Sequence, residues 1–371
     1  MSRLDTLSRS AVPVCGTDGE TNCASETGLT VQMTAKSTGA NRNPAVDFTK
    51  GALVLIMVLY HWINYFIGAN FDYRYLRFLT PSFIFVSGFL ISNVYISRSR
   101  SDPWRPSKRL LTRGLKLFAV FVVLNVARAF LFQALSKGGM VYAQLNPSNI
   151  WTVFVIGNDF SATGKILAFY ILVPISYLLI FSAGLLVFFR FYKYAFHVTC
   201  VAFLLCILML NSKNLQNANL EFVTIGLLGA LVGFFPIGKI DTFVRRPYVL
   251  AFAYLGYLIA ITFWNVPFVL LVIGTFLSLM GIYLMGLSDN GPSKARRTFI
   301  LLGKYSLFGY VVQIAILQFL SLGLRHLHRG YGVIGISFIA AFALTILAVE
   351  TVDRVKARSS LADSIYKAVF A

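Results

Sequence analysis

Ten long apolar stretches constrain the fold of this chain more than any other feature. A helix that crosses a bilayer needs about 20 mostly apolar residues, and each stretch is close to that length or longer. The stretches are residues 48–67, 76–96, 114–135, 166–189, 194–211, 220–237, 247–264, 266–287, 299–323 and 332–350. Residues 247–287 would make a helix too long for one crossing, so a division near residues 265–267 is predicted. We therefore predict an all-α integral membrane protein with about ten transmembrane helices.

The charge content supports the membrane assignment. Only 13% of the residues are charged, against about 25% in soluble domains, which excludes a water-soluble enzyme. The formal net charge of +19 reports topology rather than nucleic-acid binding, because cytoplasmic loops retain Lys and Arg. With the N-terminus inside, the inner flanking segments carry most of the Lys and Arg. Both termini are therefore expected in the cytoplasm, and the membrane is expected to be a bacterial plasma membrane.

Composition divides the chain into a membrane domain and two tails. Residues 1–44 are rich in Ser, Thr, Gly and Asn and lack periodicity, which predicts a disordered cytoplasmic tail without a signal peptide. Residues 45–352 form the predicted membrane domain, and residues 353–371 form a predicted cytoplasmic C-terminal tail. The four cysteines have no spacing that suits a metal. No metal and no tightly bound cofactor are expected.

The first apolar stretch carries the strongest candidate site. Lys50 and His61 are eleven residues apart, so a helix places them on one face, about 16 Å apart along its axis. Asp47, before Lys50, and Asn64, after His61, extend the same stripe. Imidazole is the side chain best suited to proton transfer near neutral pH. The alternative is that His61 is a hydrogen-bonded packing residue and that Lys50 and Asp47 are interfacial anchors.

Two further basic groups are candidates for binding substrates. Arg128 lies in the third stretch towards the outer side, where it would face an acceptor or extend to the surface. A basic cluster between residues 98 and 116 would suit the phosphate groups of a co-substrate, although inside topology and lipid headgroups explain the same residues. The cluster members considered for donor binding are Arg98, Lys108, Arg109 and Arg113.

The first stretch resembles the signature of the transmembrane acyltransferases. This superfamily includes the acyltransferase type 3 proteins, bacterial glucan succinyltransferases and heparan-alpha-glucosaminide N-acetyltransferase. Residues 47–51, Asp-Phe-Thr-Lys-Gly, followed by His61, resemble a first helix in which an Arg precedes the essential His by ten intervening residues. Lys50 stands in place of that Arg, which keeps the charge but not bidentate recognition.

Further motifs resemble the same family and occur in the same order. Residues 83–91 are similar to the aromatic second helix ending in Ser-Gly-Phe-Leu, and residues 108–113 are similar to the basic start of the third. Residues 302–307 resemble a late Gly-x-x-Ser-Leu helix start, and Gln313 stands where many members have a His. The resemblance covers the chain from residue 45 to about residue 355.

The resemblance implies a membrane acyltransferase that uses cytoplasmic acyl-coenzyme A, most simply acetyl-coenzyme A, as a co-substrate. His61 is then expected to act as general base or acyl carrier, and O-acylation of a glycan or lipid-linked envelope acceptor is favoured over N-acylation. The residues expected at the acceptor or in the cavity are Asp47, Asn64, Ser87, Arg128 and Gln313.

The sequence also leads to expectations about binding partners and to a second candidate function. Membrane lipids are expected partners, nucleic acid is not, and a homo-oligomer is left open. The alternative function is a transporter or flippase for a lipid-linked or polysaccharide substrate, which would use the same cavity without a catalytic base. The lack of an evident internal repeat in the sequence speaks mildly against it.

Overall fold

The chain folds into a bundle of helices that follow the apolar stretches. The computed structural model describes residues 43–68, 73–96, 104–135, 147–158, 160–161, 164–165, 168–189, 191–192, 194–264, 268–288, 291, 293–324 and 330–370. The α-helices are α1 Pro44–Trp62, α2 Leu79–Leu90, α3 Trp104–Leu135, α4 Pro147–Trp151, α5 Leu172–Phe189, α6 Ala195–Ser212, α7 Ala218–Val232, α8 Ile237–Val244, α9 Pro247–Phe263, α10 Phe268–Leu287, α11 Lys294–Lys304, α12 Ser306–Gly323, α13 Tyr331–Arg358 and α14 Ser360–Phe370.

Shorter elements extend or join these helices. Three π-helical turns occur in the described chain: Ile63–Ile67 continues α1, Ile91–Ile96 continues α2 and Thr152–Ile156 follows α4. A 3₁₀ turn, Tyr73–Leu76, precedes α2. Two short strands, β1 Phe160–Ser161 and β2 Gly164–Lys165, pair antiparallel.

Eight helical segments of the described chain are long and apolar enough to cross a membrane: Pro44–Ile67, Arg74–Ile96, Trp104–Arg128, Leu172–Phe189, Ala195–Ser212, Phe268–Leu287, Ser306–Gly323 and Tyr331–Arg358. α7 and α8 pass the same test together but are bent by 100°, and α9 is a shorter apolar helix. The protein is thus an all-α integral membrane protein as predicted. The count of ten spans and the cytoplasmic location of both termini stay predictions.

One predicted helix is divided in the structure. The single helix expected over residues 299–323 is wrong, because the chain breaks at Tyr305 between α11 and α12. The Tyr305 hydroxyl donates to the Asp353 carboxylate of α13 at 2.7 Å, and the Lys304 ammonium lies 3.0 Å from the same carboxylate. These contacts hold the junction against α13, and hydropathy does not report them.

Several helix ends meet at one end of the bundle, which we call the basic end. α1 begins there beside the end of α10, since the Asn43 amide donates to the Tyr283 hydroxyl at 3.1 Å. The basic first half of α3 lies there too, because the Lys116 ammonium donates to the Lys367 carbonyl of α14 at 3.4 Å. The positive-inside rule makes this the end expected in the cytoplasm.

The segment predicted as a C-terminal tail, residues 353–371, is helical where it is described and contacts the bundle. The Tyr366 ring of α14 lies 5.2 Å from the Tyr305 ring. Within α14, a hydrogen bond from Lys367 holds the pKa of the Asp363 carboxyl below its usual value. α14 thereby covers the junction of α11 and α12 at the basic end.

α1 and α11 pack backbone against backbone, and two glycines make this contact feasible. A Cβ added at Gly303 would lie 1.7 Å from the Asp47 carbonyl oxygen, and one at Gly51 would lie 1.9 Å from the Phe299 carbonyl oxygen. Any side chain at these positions would force the helices apart. The contact therefore fixes the beginning of α1 against α11.

Gly303→Ala should destabilise the protein by about 1–3 kcal/mol or more, the cost of overpacking a tight contact. The measurement is the thermal unfolding of the full chain in mild detergent. Gly256→Ala on α9 is the matched control, because nothing lies within 4 Å of its added Cβ. The control should be neutral or stabilising by up to about 1 kcal/mol. Equal unfolding temperatures for the two variants would contradict the packing described.

Candidate active site

His61 lies in the last turn of α1, inside the bundle. Its Nε2 atom is buried, and its ring centroid is 5.2 Å from that of Tyr60 and 6.4 Å from that of Tyr310 on α12. The π-helical turn Ile63–Ile67 follows directly, and such turns are frequent at functional sites. The fold thus holds an imidazole, which can take up and release a proton, among aromatic rings inside the membrane domain.

Lys50 and Asp47 form a buried ion pair on the same helix. The Lys50 Nζ atom lies 2.8 Å from the Asp47 Oδ1 atom, and only 15% and 6% of the two side chains are exposed. Each charge offsets part of the cost of burying the other. The pair places a fixed ammonium group near the basic end, on the helix that carries His61.

The face of α1 between Lys50 and His61 is filled by packing. Leu53 and Met57 lie on this face and are 0% and 2% exposed. A molecule that reaches from Lys50 to His61 therefore has to displace neighbouring side chains or approach the imidazole from another side of α1.

The segment before α5 supports the far side of the Tyr310 ring. The Phe169 ring meets it edge-on, with 6.1 Å between the centroids. The backbone of Phe169 has a φ of 58°, a left-handed conformation that is strained for a bulky residue. Asn125 on α3 holds this segment, since its side chain accepts from the Ala168 N–H at 2.8 Å and donates to the Ala168 carbonyl at 2.9 Å. Contacts thus run from Asn125 through Phe169 and Tyr310 to His61.

Asn125→Ala should lower the free energy of unfolding by about 1–3 kcal/mol, because the Ala168 backbone groups lose their partner. Acyl transfer should fall as well, since Phe169 would no longer be held against Tyr310. The measurements are the unfolding temperature and the initial rate at saturating donor. Asn211→Ala, at an exposed position of α6, is the matched control and should be neutral. A wild-type rate and stability in Asn125→Ala would argue against this support.

Polar side chains from three elements meet beyond His61. Arg128 on α3 is only 8% exposed, and its electrostatic neighbour is Tyr65 in the π-helical turn after α1. The side chain of Gln318 on α12 lies near the Tyr65 hydroxyl. The sequence indicates Arg128 by its charge within an apolar stretch. Tyr65 and Gln318 belong to no sequence motif. Tyr65 could have been predicted only from its position one turn after His61, and Gln318 had no such signal.

Gln313 on α12 is a fully buried polar side chain. It is 0% exposed, and neither atom of its amide has a hydrogen-bond partner among the described residues. It lies one turn beyond Tyr310, whose ring is next to His61. The amide can therefore offer a donor and an acceptor to a polar group that enters the bundle there.

Gln313→Met should leave the unfolding temperature unchanged or raise it, because it removes buried polar atoms that lack partners. The sequence predicts this amide at the acceptor, in which case the KM for the acceptor should rise while the KM for the donor stays constant. Gln318→Met is the matched control and should lower the unfolding temperature, because it breaks the contact with Tyr65. A similar loss of stability in both variants would contradict the description of Gln313.

Two predicted residues, Asn64 and Ser87, hydrogen-bond to the backbone of their own helices. Asn64 lies in the π-helical turn that follows α1. Asn64 is exposed, and its amide donates to the Tyr60 carbonyl at 3.1 Å. The Ser87 hydroxyl on α2 donates to the Phe83 carbonyl of its own helix at 2.8 Å.

The predicted basic run lies on the first half of α3. Lys108 and Arg109 are exposed. Arg113 donates to the Tyr95 hydroxyl, and its guanidinium carbon is 5.7 Å from the Tyr95 ring centroid. Arg98 lies outside the described residues. The structure thus places three of the four predicted donor-binding residues of this run on one helix at the basic end.

A membrane-spanning helical bundle with a histidine and a buried ammonium–carboxylate pair on its first helix has the parts of a membrane acyltransferase. The chain belongs to the acyltransferase type 3 family, since the family's model of the acyltransferase domain matches residues 43–350. This match confirms the family resemblance and supports a membrane acyltransferase in general. No curated protein and no solved structure matches the chain.

Proposed function

We propose that this protein transfers an acyl group, most simply acetyl, from cytoplasmic acyl-coenzyme A to a hydroxyl group of an envelope glycan or lipid-linked acceptor. The observation that carries this proposal is the half-buried His61, whose Nε2 atom is buried, on the helix that holds the Lys50–Asp47 pair, in a chain of an acyltransferase family. The excess of Lys and Arg supports a cytoplasmic location of both termini, in a bacterial plasma membrane.

His61 acts as the general base in this proposal. It removes the proton from the acceptor hydroxyl as the oxygen attacks the thioester carbonyl, and the carbon–sulfur bond breaks. The proton then passes from His61 to the departing thiolate of coenzyme A, so the enzyme returns to its starting state. In the variant mechanism the imidazole itself attacks the thioester, and the acceptor then cleaves the acyl-imidazole.

The donor is assigned to the basic end. Lys108 and Arg109 are exposed on α3, and Arg113 follows one turn later; fixed cations of this kind suit phosphate groups. Arg98 is included by its sequence position. Lys50 lies closer to His61 and is assigned to the part of the donor between the phosphates and the thioester. Acyl-coenzyme A is a co-substrate in this scheme, not a resident cofactor.

The acceptor is assigned to the polar side chains beyond His61. Arg128, Tyr65 and Gln318 offer donors for sugar hydroxyls or a carboxylate. Gln313 adds a buried amide one turn from Tyr310. The acceptor would thus approach the imidazole from the side opposite to the donor.

Inverted membrane vesicles test the proposal directly. They expose the cytoplasmic face to added radiolabelled acetyl-coenzyme A and keep envelope acceptors in the lumen. Label should reach a luminal component only when the protein is present, and mass spectrometry of envelope glycans should show the matching acyl group. Mild alkali releases an O-acyl ester but leaves an amide, which decides between the two linkages. An unchanged acyl pattern in every envelope component would contradict the proposal.

A flippase for a lipid-linked or polysaccharide substrate is the second candidate function. The polar group of Arg128, Tyr65 and Gln318 inside the bundle favours it to the same extent, because a transported glycan could contact these side chains too. A flippase would move its substrate across the vesicle membrane without transferring label from acetyl-coenzyme A.

A further inference from the structure

A cavity at the basic end is separate from the face of α2 that carries Ser87. Its volume is about 50 Å³, and its lining includes Phe85 and Phe89 of α2 together with Met280 of α10. At 100° per residue, Phe85 and Phe89 each lie about 160° from Ser87 around the helix axis. The cavity therefore lies on the side of α2 opposite to Ser87, next to Val46 and Thr49 of α1, which flank the Asp47–Lys50 pair.

The lining of this cavity offers no polar group to a ligand. Its surface is entirely apolar, although Thr49 and Tyr283 contribute to it. The Thr49 hydroxyl donates to the Ala45 carbonyl at 2.8 Å, and the Tyr283 hydroxyl donates to the Asp241 carboxylate at 2.8 Å. Apolar cavities in proteins stay free of water and take up apolar molecules. A nucleotide or a sugar does not fit such a lining.

The cavity opens where α8 crosses the end of the bundle. Val46, Phe89, Val232 and Ile240 are half-buried, whereas the other lining residues are buried. Ile240 belongs to α8, which lies across this end because the chain bends by 100° after α7. The opening is thus located at the level where the basic end meets the lipid headgroups.

Basic residues are close in sequence to Ile240 at this opening. Lys239 precedes Ile240 on α8, and Arg245 and Arg246 follow the helix; all three are exposed. The one carboxylate of α8, on Asp241, accepts the hydrogen bond from Tyr283. An apolar cavity with a basic rim matches a molecule that has a hydrocarbon chain and an anionic head.

We propose that the cavity binds one anionic phospholipid, with the end of an acyl chain inside and the phosphate held by Lys239, Arg245 and Arg246. About 50 Å³ is well below the roughly 150 Å³ that admits benzene, so a linear chain fits and a ring does not. Lys and Arg near a membrane surface attract anionic headgroups. A lipid bound there would tie α8 to the inner leaflet.

Native mass spectrometry of the full chain in mild detergent tests this site with three probes: phosphatidylglycerol, phosphatidylcholine and inorganic phosphate. One phosphatidylglycerol should bind per chain, at least about tenfold more tightly than phosphatidylcholine, which corresponds to about 1.4 kcal/mol. Excess inorganic phosphate should not displace it, because phosphate lacks the chain. Equal binding of the two lipids, or displacement by phosphate, would overturn the proposal.

Two variants distinguish the contribution of the lipid's acyl chain to binding from that of its headgroup. Val232→Trp fills the opening of the cavity and should weaken the binding of phosphatidylglycerol at least about tenfold. The surface variant K239Q/R245Q/R246Q should bind the two lipids equally while the unfolding temperature of the lipid-free protein is unchanged. K294Q/R297Q, at exposed positions of α11 at the same end, is the matched control and should keep the preference. Wild-type binding in K239Q/R245Q/R246Q, or the same loss in the control, would refute the assignment.

Discussion

His61→Ala is expected to lower acyl transfer by about 10²–10⁴-fold, the range that a positioned general acid–base group contributes. Binding of acyl-coenzyme A should stay near the wild-type value, because donor binding is assigned to the basic residues of α3 and to Lys50 rather than to the imidazole. The rate is measured as label transfer in inverted vesicles. Donor binding is measured by equilibrium dialysis of the purified full chain.

Two controls make the result with His61→Ala specific. His197→Ala removes an exposed histidine of α6 and should transfer acyl groups at the wild-type rate. Incubation with labelled donor and no acceptor should label wild-type protein covalently only if the acyl-imidazole forms, and His61→Ala should then stay unlabelled. A His61→Ala variant that keeps acyl transfer within a few-fold of wild type would exclude the proposed base.

Asp47→Ala is expected to destabilise the protein by up to about 3–5 kcal/mol, the cost of breaking a buried ion pair by removing one member. The charge left behind is the Lys50 ammonium, of which only 15% is exposed. The measurement is the thermal or denaturant unfolding of the full chain in detergent. Lys304, whose carboxylate partner is 37% exposed, provides the comparison: Lys304→Met should cost no more than about 1 kcal/mol.

The double variant Asp47→Leu/Lys50→Met separates stability from function. Replacing both members of a buried pair by apolar residues is often neutral or stabilising, so the double variant should unfold near the wild-type temperature. Donor binding should still be weakened, because the ammonium is gone. A double variant as unstable as Asp47→Ala would show that the pair is not the source of the loss.

Local properties of the sequence were sufficient to predict the helices. Each predicted apolar stretch contains a helix, and the division near residues 265–267 is confirmed, since α9 ends at Phe263 and α10 begins at Phe268. Hydropathy succeeds here because a bilayer demands long apolar segments whatever their neighbours are. The pairing of Lys50 with Asp47 likewise follows the helical i, i+3 spacing.

Features that depend on contacts between distant residues could not be predicted in this way. The break at Tyr305 depends on Asp353, and the segment around Phe169 depends on Asn125. A π-helical turn follows α1, and Asn64 within it is exposed; nothing in the local composition signals that turn. The surroundings of His61 therefore come from tertiary contacts, whereas its helix comes from the local pattern.

The glycine contacts between α1 and α11 have a consequence for turnover. Because Gly51 and Gly303 bring the two backbones together without intervening side chains, these helices can only move as one rigid unit. The pair of α1 and α11 therefore stays fixed. A substrate reaches the imidazole of His61 only when other elements packed around α1 move. Among these, the segment carrying Phe169 is the one that already stores conformational strain, so its release would assist opening beside Tyr310.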